Sequence, residues 1–284
     1  MKKWSIIRVL LGLLLSFMLF SRLFQTVIPA ASPRLSKASL QSVITPKFHL
    51  VAIGDSLTEG VGDSTGQGGF VPLLAQQIFH EQGYDVVTAN YGVAGNTSKQ
   101  ILKRMSEDRP IQQSLKEADL MTLTVGGNDV MHVIRKNLDS LTVKTFKKPA
   151  KQYSKRLRKI IDLARQENPD LPIYILGIYN PFYLNFPELT EMQTVVDDWN
   201  QTTEETLTHY KNVYFVPIND RLYKGINGEQ ALIEHVTGQT KVVNDALFEE
   251  DHFHPNNRGY QIMQAAIMEK MNETSESWQR KKEN

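Results

Sequence analysis

The sequence has no cysteine and almost no net charge, and both absences narrow what the protein can do. Without cysteine there are no disulfide bonds, no thiolate metal ligands and no lipid-modified cysteine at the end of a leader. Lysine and arginine (32) nearly balance aspartate and glutamate (31), so the formal net charge of +1 argues against binding nucleic acid through bulk electrostatics. Hydrophobic residues make up 41% of the chain and charged residues 22%, a composition typical of one large globular domain.

Long apolar runs are rare as well, and the most pronounced one lies near the N-terminus. Residues 9–20 form this run, and Lys2, Lys3 and Arg8 precede it. The run is shorter than the roughly 20 residues that a membrane-spanning helix requires, but it has the length and basic flank of a secretory signal. We therefore predict that residues 1–30 are a signal peptide or an uncleaved signal anchor. The rest of the chain would then be exported, either membrane-anchored or secreted.

The remainder of the chain is predicted to consist of a linker, a domain and a tail. Residues 31–46 contain prolines among serines and alanines, which predicts a linker. Residues 47–271 are predicted to form the folded domain. The polar residues 272–284 are predicted to form a tail that frays.

Within the domain, apolar stretches of strand length alternate with amphipathic stretches of helix length. Strands are predicted at residues 48–53, 85–89, 119–125, 171–176 and 213–217. Helices are predicted at residues 70–82, near Ile101 to Met105, at residues 149–168 and 188–209, and after Pro255. This alternation predicts an α/β protein in which a parallel sheet is covered by helices on both faces.

Polar loops follow the predicted strands, and they contain the residues that are able to do chemistry. Ser56 follows the first strand, Gly95 the second, Asn128 the third, and His254 precedes the last helix. Because open α/β sheets bind ligands at the carboxyl ends of their strands, we expect these loops to form one site. Ordinary turn formation explains any one of these loops, but it explains the whole set less well.

A serine at the end of the first strand is a weak nucleophile unless a base accepts its proton. His254 is the candidate base, since a neutral imidazole can accept the Ser56 proton and pass it to a leaving group. Asp251, three residues earlier, is able to orient the ring and stabilise the imidazolium. Pro255 favours an extended backbone at His254 and suits the start of the following helix.

An ester hydrolysed at Ser56 also needs hydrogen-bond donors for the oxyanion that develops on its carbonyl oxygen. The candidates are the backbone N–H of Ser56, the backbone N–H of Gly95 and the side-chain amide of Asn128. Glycine suits such a position because its backbone approaches a substrate without a β-carbon in the way. For Gly95 and Asn128 a purely turn-forming role is the alternative.

These residues fall into blocks that resemble a known family. The blocks are, in order, Gly54-Asp55-Ser56-Leu57, Ala94-Gly95-Asn96-Thr97, Gly127-Asn128-Asp129 and Asp251-His252-Phe253-His254. They resemble the conserved blocks of the SGNH (GDSL) hydrolases, and the resemblance extends over about residues 48–271. Within that family the chain looks most like the YpmR-like branch of exported bacterial lipase/acylhydrolase-like proteins.

The resemblance implies a fold and a role for each residue. The fold implied is a three-layer α/β/α arrangement around a five-stranded parallel sheet with flavodoxin-like strand order. Ser56 would be the nucleophile, His254 the base and Asp251 its orienter, while Ser56, Gly95 and Asn128 would supply the oxyanion donors. The resemblance implies no metal and no cofactor.

The predicted function is therefore an exported serine esterase or acyl hydrolase. Its substrate would be a small-molecule or polymer-borne carboxylic ester, carrying a lipid acyl or a carbohydrate O-acyl group, and it would react through an acyl-enzyme on Ser56. One alternative is a metal-dependent phosphoesterase, a class that Gly54-Asp55 and Gly127-Asn128-Asp129 faintly resemble. The other is a non-catalytic binding module on the same scaffold. Separately, Asp251, His252 and His254 have the residue types of metal ligands. Nucleic acid is not an expected partner, and the acyl chain length and the oligomeric state stay open.

Three further features of the sequence are each compatible with two interpretations. The excursion at residues 224–250 is either a lid or pocket wall, or a surface loop. The basic run at residues 144–159 contains no acid and is either a solvated helix face or a contact with an anionic membrane or wall polymer. Several aromatic residues are either pocket walls or core, namely Phe70, Tyr91, Phe182, Tyr183, Phe186 and Phe253.

Overall fold

The computed structural model describes residues 2–27, 45–137, 140–182, 190–224, 232–236, 239–243 and 246–279. The chain separates into two compact units, Met1–Ile44 and Thr45–Asn284. The first unit contains helix α1 (Lys2–Val27). Among the helices in the described ranges, none has both the length and the apolar content needed to cross a membrane. The leader and its export stay predictions, and residues 28–44, which include most of the predicted linker, lie outside the described residues.

The second unit is built on a five-stranded sheet. Its strands are β1 (Lys47–Gly54), β2 (Asp85–Gly92), β3 (Leu120–Thr124), β4 (Ile173–Leu176) and β5 (Val213–Val216). They lie in the order β2-β1-β3-β4-β5, and every neighbouring pair is parallel. This is the flavodoxin-like order, so the predicted fold class is confirmed.

Burial on both faces explains why the central strands β3 and β4 consist of almost continuous apolar residues. All residues of β3 and β4 are buried, as expected for parallel strands covered on both faces. Strand β2, at one edge of the sheet, has only partly buried and exposed residues.

Helices cover both faces of this sheet. They are α2 (Ser56–Glu59), α3 (Phe70–Gln82), α4 (Ser98–Glu107), α5 (Arg109–Glu117), α6 (Gly127–Lys136), α7 (Val143–Ala164), α8 (Thr190–Leu207), α9 (Asn219–Lys224) and α10 (Asn257–Glu273). One apolar cluster joins the sheet to α4 through α8, and a second joins it to α3, α9 and α10. The two clusters give the three layers that the resemblance implied.

Helix α7 differs from its prediction at both ends. It begins at Val143 rather than at residue 149, because Thr142 and Thr145 form a capping box at its N-terminus. It ends at Ala164, four residues before the predicted Asn168. The Asn168 side chain instead donates hydrogen bonds to the carbonyls of Leu115 (3.1 Å) and Ala118 (2.8 Å).

The excursion at residues 224–250 contains an antiparallel hairpin that the sequence pattern did not predict. Its strands are β6 (Leu232–Val236) and β7 (Gln239–Val243). The role of this excursion as a lid or pocket wall stays a prediction, because residues 225–231, 237–238 and 244–245 lie outside the described residues.

The prediction that the chain frays from residue 272 is wrong for residues 272–279. Helix α10 continues to Glu273, and a short 3-10 helix follows at Ser275–Ser277. Trp278 is buried and its ring lies edge-on against Phe48 with the centroids 5.9 Å apart. Its Nε1 donates to the Met271 carbonyl at 2.8 Å. Burial of one aromatic side chain therefore holds this end of the chain against the sheet. The domain boundaries at residues 30, 46 and 271 stay predictions.

Candidate active site

Ser56 is the first residue of α2, directly after β1. Asp55 caps this short helix, since its Oδ1 accepts hydrogen bonds from the Leu57 amide at 3.1 Å and the Thr124 hydroxyl at 2.8 Å. The chain leaves β1 for β2 on one side, whereas β3 lies on the other. Ser56 therefore lies at the topological switch point, where sheets of this order bind ligands.

Gly54 allows β1 and β3 to lie close together below Ser56. A β-carbon at Gly54 would lie 2.2 Å from the Thr124 hydroxyl oxygen and 2.4 Å from that of Thr58. Those two hydroxyls are hydrogen-bonded to each other at 2.8 Å. Any side chain at residue 54 would therefore displace the Thr124 hydroxyl, which donates a hydrogen bond to Asp55.

His254 connects Ser56 to Asp251 through two hydrogen bonds. Its Nε2 lies 2.9 Å from the Ser56 hydroxyl oxygen, across 198 positions of sequence. Its Nδ1 lies 2.6 Å from Asp251 Oδ2. With the proton on Nδ1, His254 donates to Asp251 and is ready to accept the Ser56 proton at Nε2. The structure thus brings the three predicted side chains together, while their catalytic roles stay predictions.

The turn that carries the predicted base, residues 251–254 (the His254 turn), is organised by Asp251. Its Oδ1 accepts hydrogen bonds from the backbone N–H groups of Phe253 (2.9 Å) and His254 (3.0 Å). His252 adopts a left-handed conformation, φ 51°, an uncommon one for a residue with a side chain. Beyond the turn, the His254 carbonyl accepts from Phe248 N at 2.7 Å.

The pKa values of Asp251 and Asp55, two carboxyl groups near Ser56, are shifted in opposite directions. Partial burial alone would raise the pKa of Asp251, but the hydrogen bonds from the His254 ring and from the Phe253 and His254 amides outweigh it and lower the pKa. Burial raises the pKa of Asp55, although the Thr124 hydroxyl and the Leu57 amide oppose that effect. Asp251 is therefore the carboxylate that stays ionised beside the imidazole.

The loop of residues 93–97 (the Gly95 loop) lies beside the start of α6. Asn128, in the first turn of α6, donates from Nδ2 to the Asn96 carbonyl at 3.1 Å. Gly95 is exposed and has φ +77°, which favours glycine. The Ala94 amide donates to the Glu59 carboxylate of α2. Among the described residues, hydrogen bonds join Asn128 to this loop, but none runs from Gly95 itself to Ser56.

A buried ion pair holds this side of the site, and sequence reasoning missed it. Asp129 accepts from the Ser98 amide (2.7 Å) and the Ser98 hydroxyl (2.6 Å). Arg156 donates from Nη2 to Asp129 Oδ1 at 3.0 Å and from Nε to Ser98 Oγ at 2.7 Å. The Asp129 side chain is only 7% exposed. The available signal was that Asp129 follows Asn128 directly and Ser98 follows the Gly95 loop.

Arg156 therefore does not belong with the other members of the basic run. The remaining side chains of that run are exposed, and within the described part of the chain they form no ion pair: Lys144, Lys147, Lys148, Lys151, Lys155, Arg158 and Lys159. Helical spacing places them opposite the buried face of α7.

A small cavity of about 40 Å³ opens beside Ser56. The described residues that line it come from the ends of β1, β3 and β4 and from the His254 turn: Asp55, Ser56, Leu57, Thr124, Val125, Gly127, Asn128, Gly177, Ile178, Tyr179 and Phe253. A larger cavity of about 590 Å³ lies between α7 and α8 and shares none of these lining residues.

The predicted aromatic pocket is only partly present. Phe253 lines the small cavity, and the Phe182 ring lies against it with centroids 6.4 Å apart. Phe70, the first residue of α3, is fully buried in the apolar cluster between the sheet and helices α3, α9 and α10. The Tyr91 hydroxyl is hydrogen-bonded to Ser114 at 2.8 Å. Residues 183 and 186 lie outside the described residues.

A metal site at Asp251, His252 and His254 was the other interpretation of the His254 turn. Within the described residues, no group of three or more histidine, aspartate or glutamate side chains is placed to hold a metal ion. In the His254 turn, the Asp251 carboxylate and the His254 ring are hydrogen-bonded to each other. His252 is exposed.

Comparison with known protein families and curated proteins gives three matches. The model of the GDSL-like lipase/acylhydrolase family matches residues 52–262. The uncharacterized protein YpmR of Bacillus subtilis is 37% identical over 220 residues, which are 76% of this chain and 79% of YpmR. The spore germination lipase LipC of Bacillus licheniformis is 25% identical over 222 residues, which are 76% of this chain and 92% of LipC.

Solved structures with the same fold include esterases and lipases. The lipase Lip_vut3 from a goat rumen metagenome superposes with a TM-score of 0.64 at 20% identity, covering 78% of this chain and 96% of its own. A catalytic mutant of Axe2, an acetylxylan esterase from Geobacillus stearothermophilus, superposes with a TM-score of 0.56 at 18% identity, covering 80% and 94%.

Proposed function

The chain belongs to the GDSL-like lipase/acylhydrolase family, and from this premise we propose that it is an exported serine esterase whose acyl-enzyme forms on Ser56. The predicted family and the predicted ester hydrolase class are confirmed. The observation that carries the finer proposal is the unbroken path of hydrogen bonds from the Ser56 hydroxyl through His254 to Asp251, at 2.9 and 2.6 Å.

The first half of the proposed reaction transfers the acyl group to the enzyme. Ser56 Oγ attacks the ester carbonyl carbon as His254 Nε2 accepts the hydroxyl proton. The carbonyl π electrons move to oxygen, and a tetrahedral intermediate forms. When the carbon–oxygen bond to the alcohol breaks, His254 returns the proton to the leaving oxygen, and the acyl group stays on Ser56.

The second half restores the enzyme. A water molecule gives a proton to His254 Nε2 and attacks the acyl carbon. The Ser56 Oγ–acyl bond breaks, His254 protonates Oγ, and the carboxylic acid leaves. In both halves Asp251 stabilises the imidazolium, a role supported by its lowered pKa.

The oxyanion would be stabilised by the donors that lie around Ser56. A side-chain amide has two N–H donors, so Asn128 is able to keep its bond to the Asn96 carbonyl at 3.1 Å and direct the other N–H at the oxyanion. The backbone N–H groups of Ser56 and Gly95 are the remaining donors in this proposal. A donor of this kind contributes roughly 10²–10³-fold to turnover.

Export and surface contact are also part of the proposal. The basic residues before the apolar run at residues 9–20 support a signal peptide or anchor. The exposed basic face of α7, which forms no ion pair within the described residues, supports contact with an anionic membrane or wall polymer. Fractionation of producing cells tests the first statement, since the proposal requires the protein outside the cytoplasm.

Labelling and hydrolysis test the catalytic proposal together. The full chain should hydrolyse a p-nitrophenyl ester and react covalently with a small fluorophosphonate, and Ser56→Ala should do neither. Inactivation by a chelator, combined with indifference of the rate to Ser56→Ala, would favour the metal-dependent phosphoesterase. A folded protein that neither hydrolyses the ester nor takes the label would favour the binding module.

A further inference from the structure

The size of the cavity at Ser56 limits what the site is able to enclose. A cavity needs on the order of 10–15 Å³ to hold one water molecule, and the cavity beside Ser56 measures about 40 Å³. Pockets that enclose whole drug-sized ligands measure roughly 300–1,000 Å³. This cavity therefore accepts one end of a substrate and not the whole molecule.

The lining shows which end that is. Ser56 and Asn128 lie in the wall, and the remaining wall includes the apolar side chains of Val125, Ile178 and Phe253. His254 is not among the described lining residues. Because His254 protonates the leaving oxygen in the proposed mechanism, the alcohol lies on the His254 side. The cavity is thus left for the alkyl part of the acyl group.

Hydrogen bonds hold the walls of the cavity in place. Both backbone polar groups of Ile178 are hydrogen-bonded to the Asn200 side chain, each at 2.8 Å. The Tyr179 hydroxyl donates to the Phe253 carbonyl, which joins two walls directly. The Asn180 amide donates to Asn219 Oδ1 at 2.9 Å. These bonds oppose widening of the cavity by a longer acyl chain.

We propose that this esterase accepts short acyl groups, from acetyl to about butanoyl, and leaves the alcohol part of the ester unrestricted in size. The proposal rests on the serine esterase function proposed above. Beyond the carbonyl carbon, acetyl adds one carbon and butanoyl three, and a cavity of about 40 Å³ is far smaller than the roughly 300–1,000 Å³ of pockets that enclose whole ligands. The alcohol would lie on the side of His254, whose side chain is 20% exposed, so the proposal admits a polymer-borne ester as well as a small one.

A series of p-nitrophenyl esters from C2 to C16, with the full chain and with Ser56→Ala as the blank, tests this limit. A single methylene that does not fit an apolar pocket changes kcat/KM about 10–200-fold. We therefore expect a maximum between C2 and C4 and a fall of at least about 100-fold by C6 to C8. An optimum at C8 or longer would overturn the short-acyl proposal and leave the esterase proposal standing. Hydrolysis of no ester above the blank would overturn the esterase proposal itself.

A variant that enlarges the cavity tests its role directly. Ile178→Ala should raise kcat/KM for C6 relative to C2 by about tenfold or more. The matched control is Ile111→Ala, a fully buried isoleucine of α5 that does not line the cavity, and it should leave that ratio unchanged. If Ile178→Ala does not fold, Ile178→Val should move the ratio in the same direction. A folded Ile178 variant with the wild-type ratio, or a control that shifts the ratio equally, would contradict the assignment.

Discussion

The His254 turn and the Gly95 loop lie at the same edge of the sheet but are stabilised in opposite ways. In the His254 turn, Asp251 accepts all of its hydrogen bonds from residues at most three positions away, and its side chain is 35% exposed. Beside the Gly95 loop, Asp129 accepts from Ser98 and Arg156, 31 and 27 positions away. One half of the site is thus made by local sequence, and the other by contacts between distant elements.

Because the two regions are stabilised differently, mutations in them should have different effects on stability and on turnover. Breaking a buried ion pair leaves a charge without compensation and costs up to about 3–5 kcal/mol of stability. An exposed pair contributes only about 0–1 kcal/mol. Changes in the His254 turn should therefore affect the reaction more than the fold, and changes at Asp129 or Arg156 should affect both.

The largest effect is expected at the two ends of the hydrogen bond between Ser56 and His254. Ser56→Ala or His254→Ala should lower kcat by about 10⁴-fold or more, because each removes a group that acts in the proposed covalent step. The melting temperature should change by only a few degrees, because each lost side-chain hydrogen bond contributes only about 0.5–1.5 kcal/mol to stability. Steady-state kinetics checks the predicted loss of kcat, and thermal unfolding of the same sample checks the predicted melting temperature. His254→Ala with near-normal turnover would remove this residue from the mechanism.

Asn128→Ala is expected to have the next largest effect. It should lower kcat about 10²–10³-fold with little change in KM, as expected for a donor used mainly in the transition state. Asn137→Ala is the matched control, because Asn137 lies at the other end of α6 and donates to the Val133 carbonyl at 2.8 Å. An equal loss of kcat in both variants would indicate an effect on the helix rather than on the oxyanion.

Arg156→Ala tests the long-range ion pair between Arg156 and Asp129 beside the Gly95 loop. Because the Arg156 side chain is 26% exposed, we expect a loss of about 2–3 kcal/mol, below the full cost of a completely buried pair. Arg158→Ala, exposed on the same helix, should stay within about 0.5 kcal/mol of wild type. Urea unfolding measures both values.

A positioning role for Arg156 makes an additional kinetic prediction. The kcat of Arg156→Ala should fall while KM changes little, and Arg156→Lys should restore part of kcat, since a lysine keeps the charge beside Asp129. Normal kcat in a folded Arg156→Ala enzyme would restrict this residue to stability.

The smallest effect concerns the pH dependence of stability. Asp251 has a lowered pKa, so its contribution to stability is present above its unfolded-state pKa of about 3.8 and is lost as the pH falls through the lower folded value. The difference in melting temperature between wild type and Asp251→Asn should therefore shrink as the pH falls below about 4. A difference that grows as the pH falls below about 4 would contradict the assigned direction.

The local half of the site was predictable because its signals are local. Ser56 follows an apolar strand directly, and Asp251 and His254 are three residues apart on one turn, so their types and spacing pointed to a serine, base and orienter. The order of apolar and amphipathic stretches predicted the sheet for the same reason. Helix α7 starts earlier than the predicted residue 149, because the capping box of Thr142 and Thr145 begins the helix at Val143.

The candidate reacting groups and the class of the fold were already indicated by the sequence, because strand ends, turns and helix faces are set by residues that are neighbours in the chain. The tertiary structure alone decided that Arg156 leaves the basic face of α7 to pair with Asp129. It also decided that the cavity at Ser56 measures about 40 Å³. Both depend on atoms contributed by separate elements, and the space left between packed side chains cannot be derived from the order of residues along one of them.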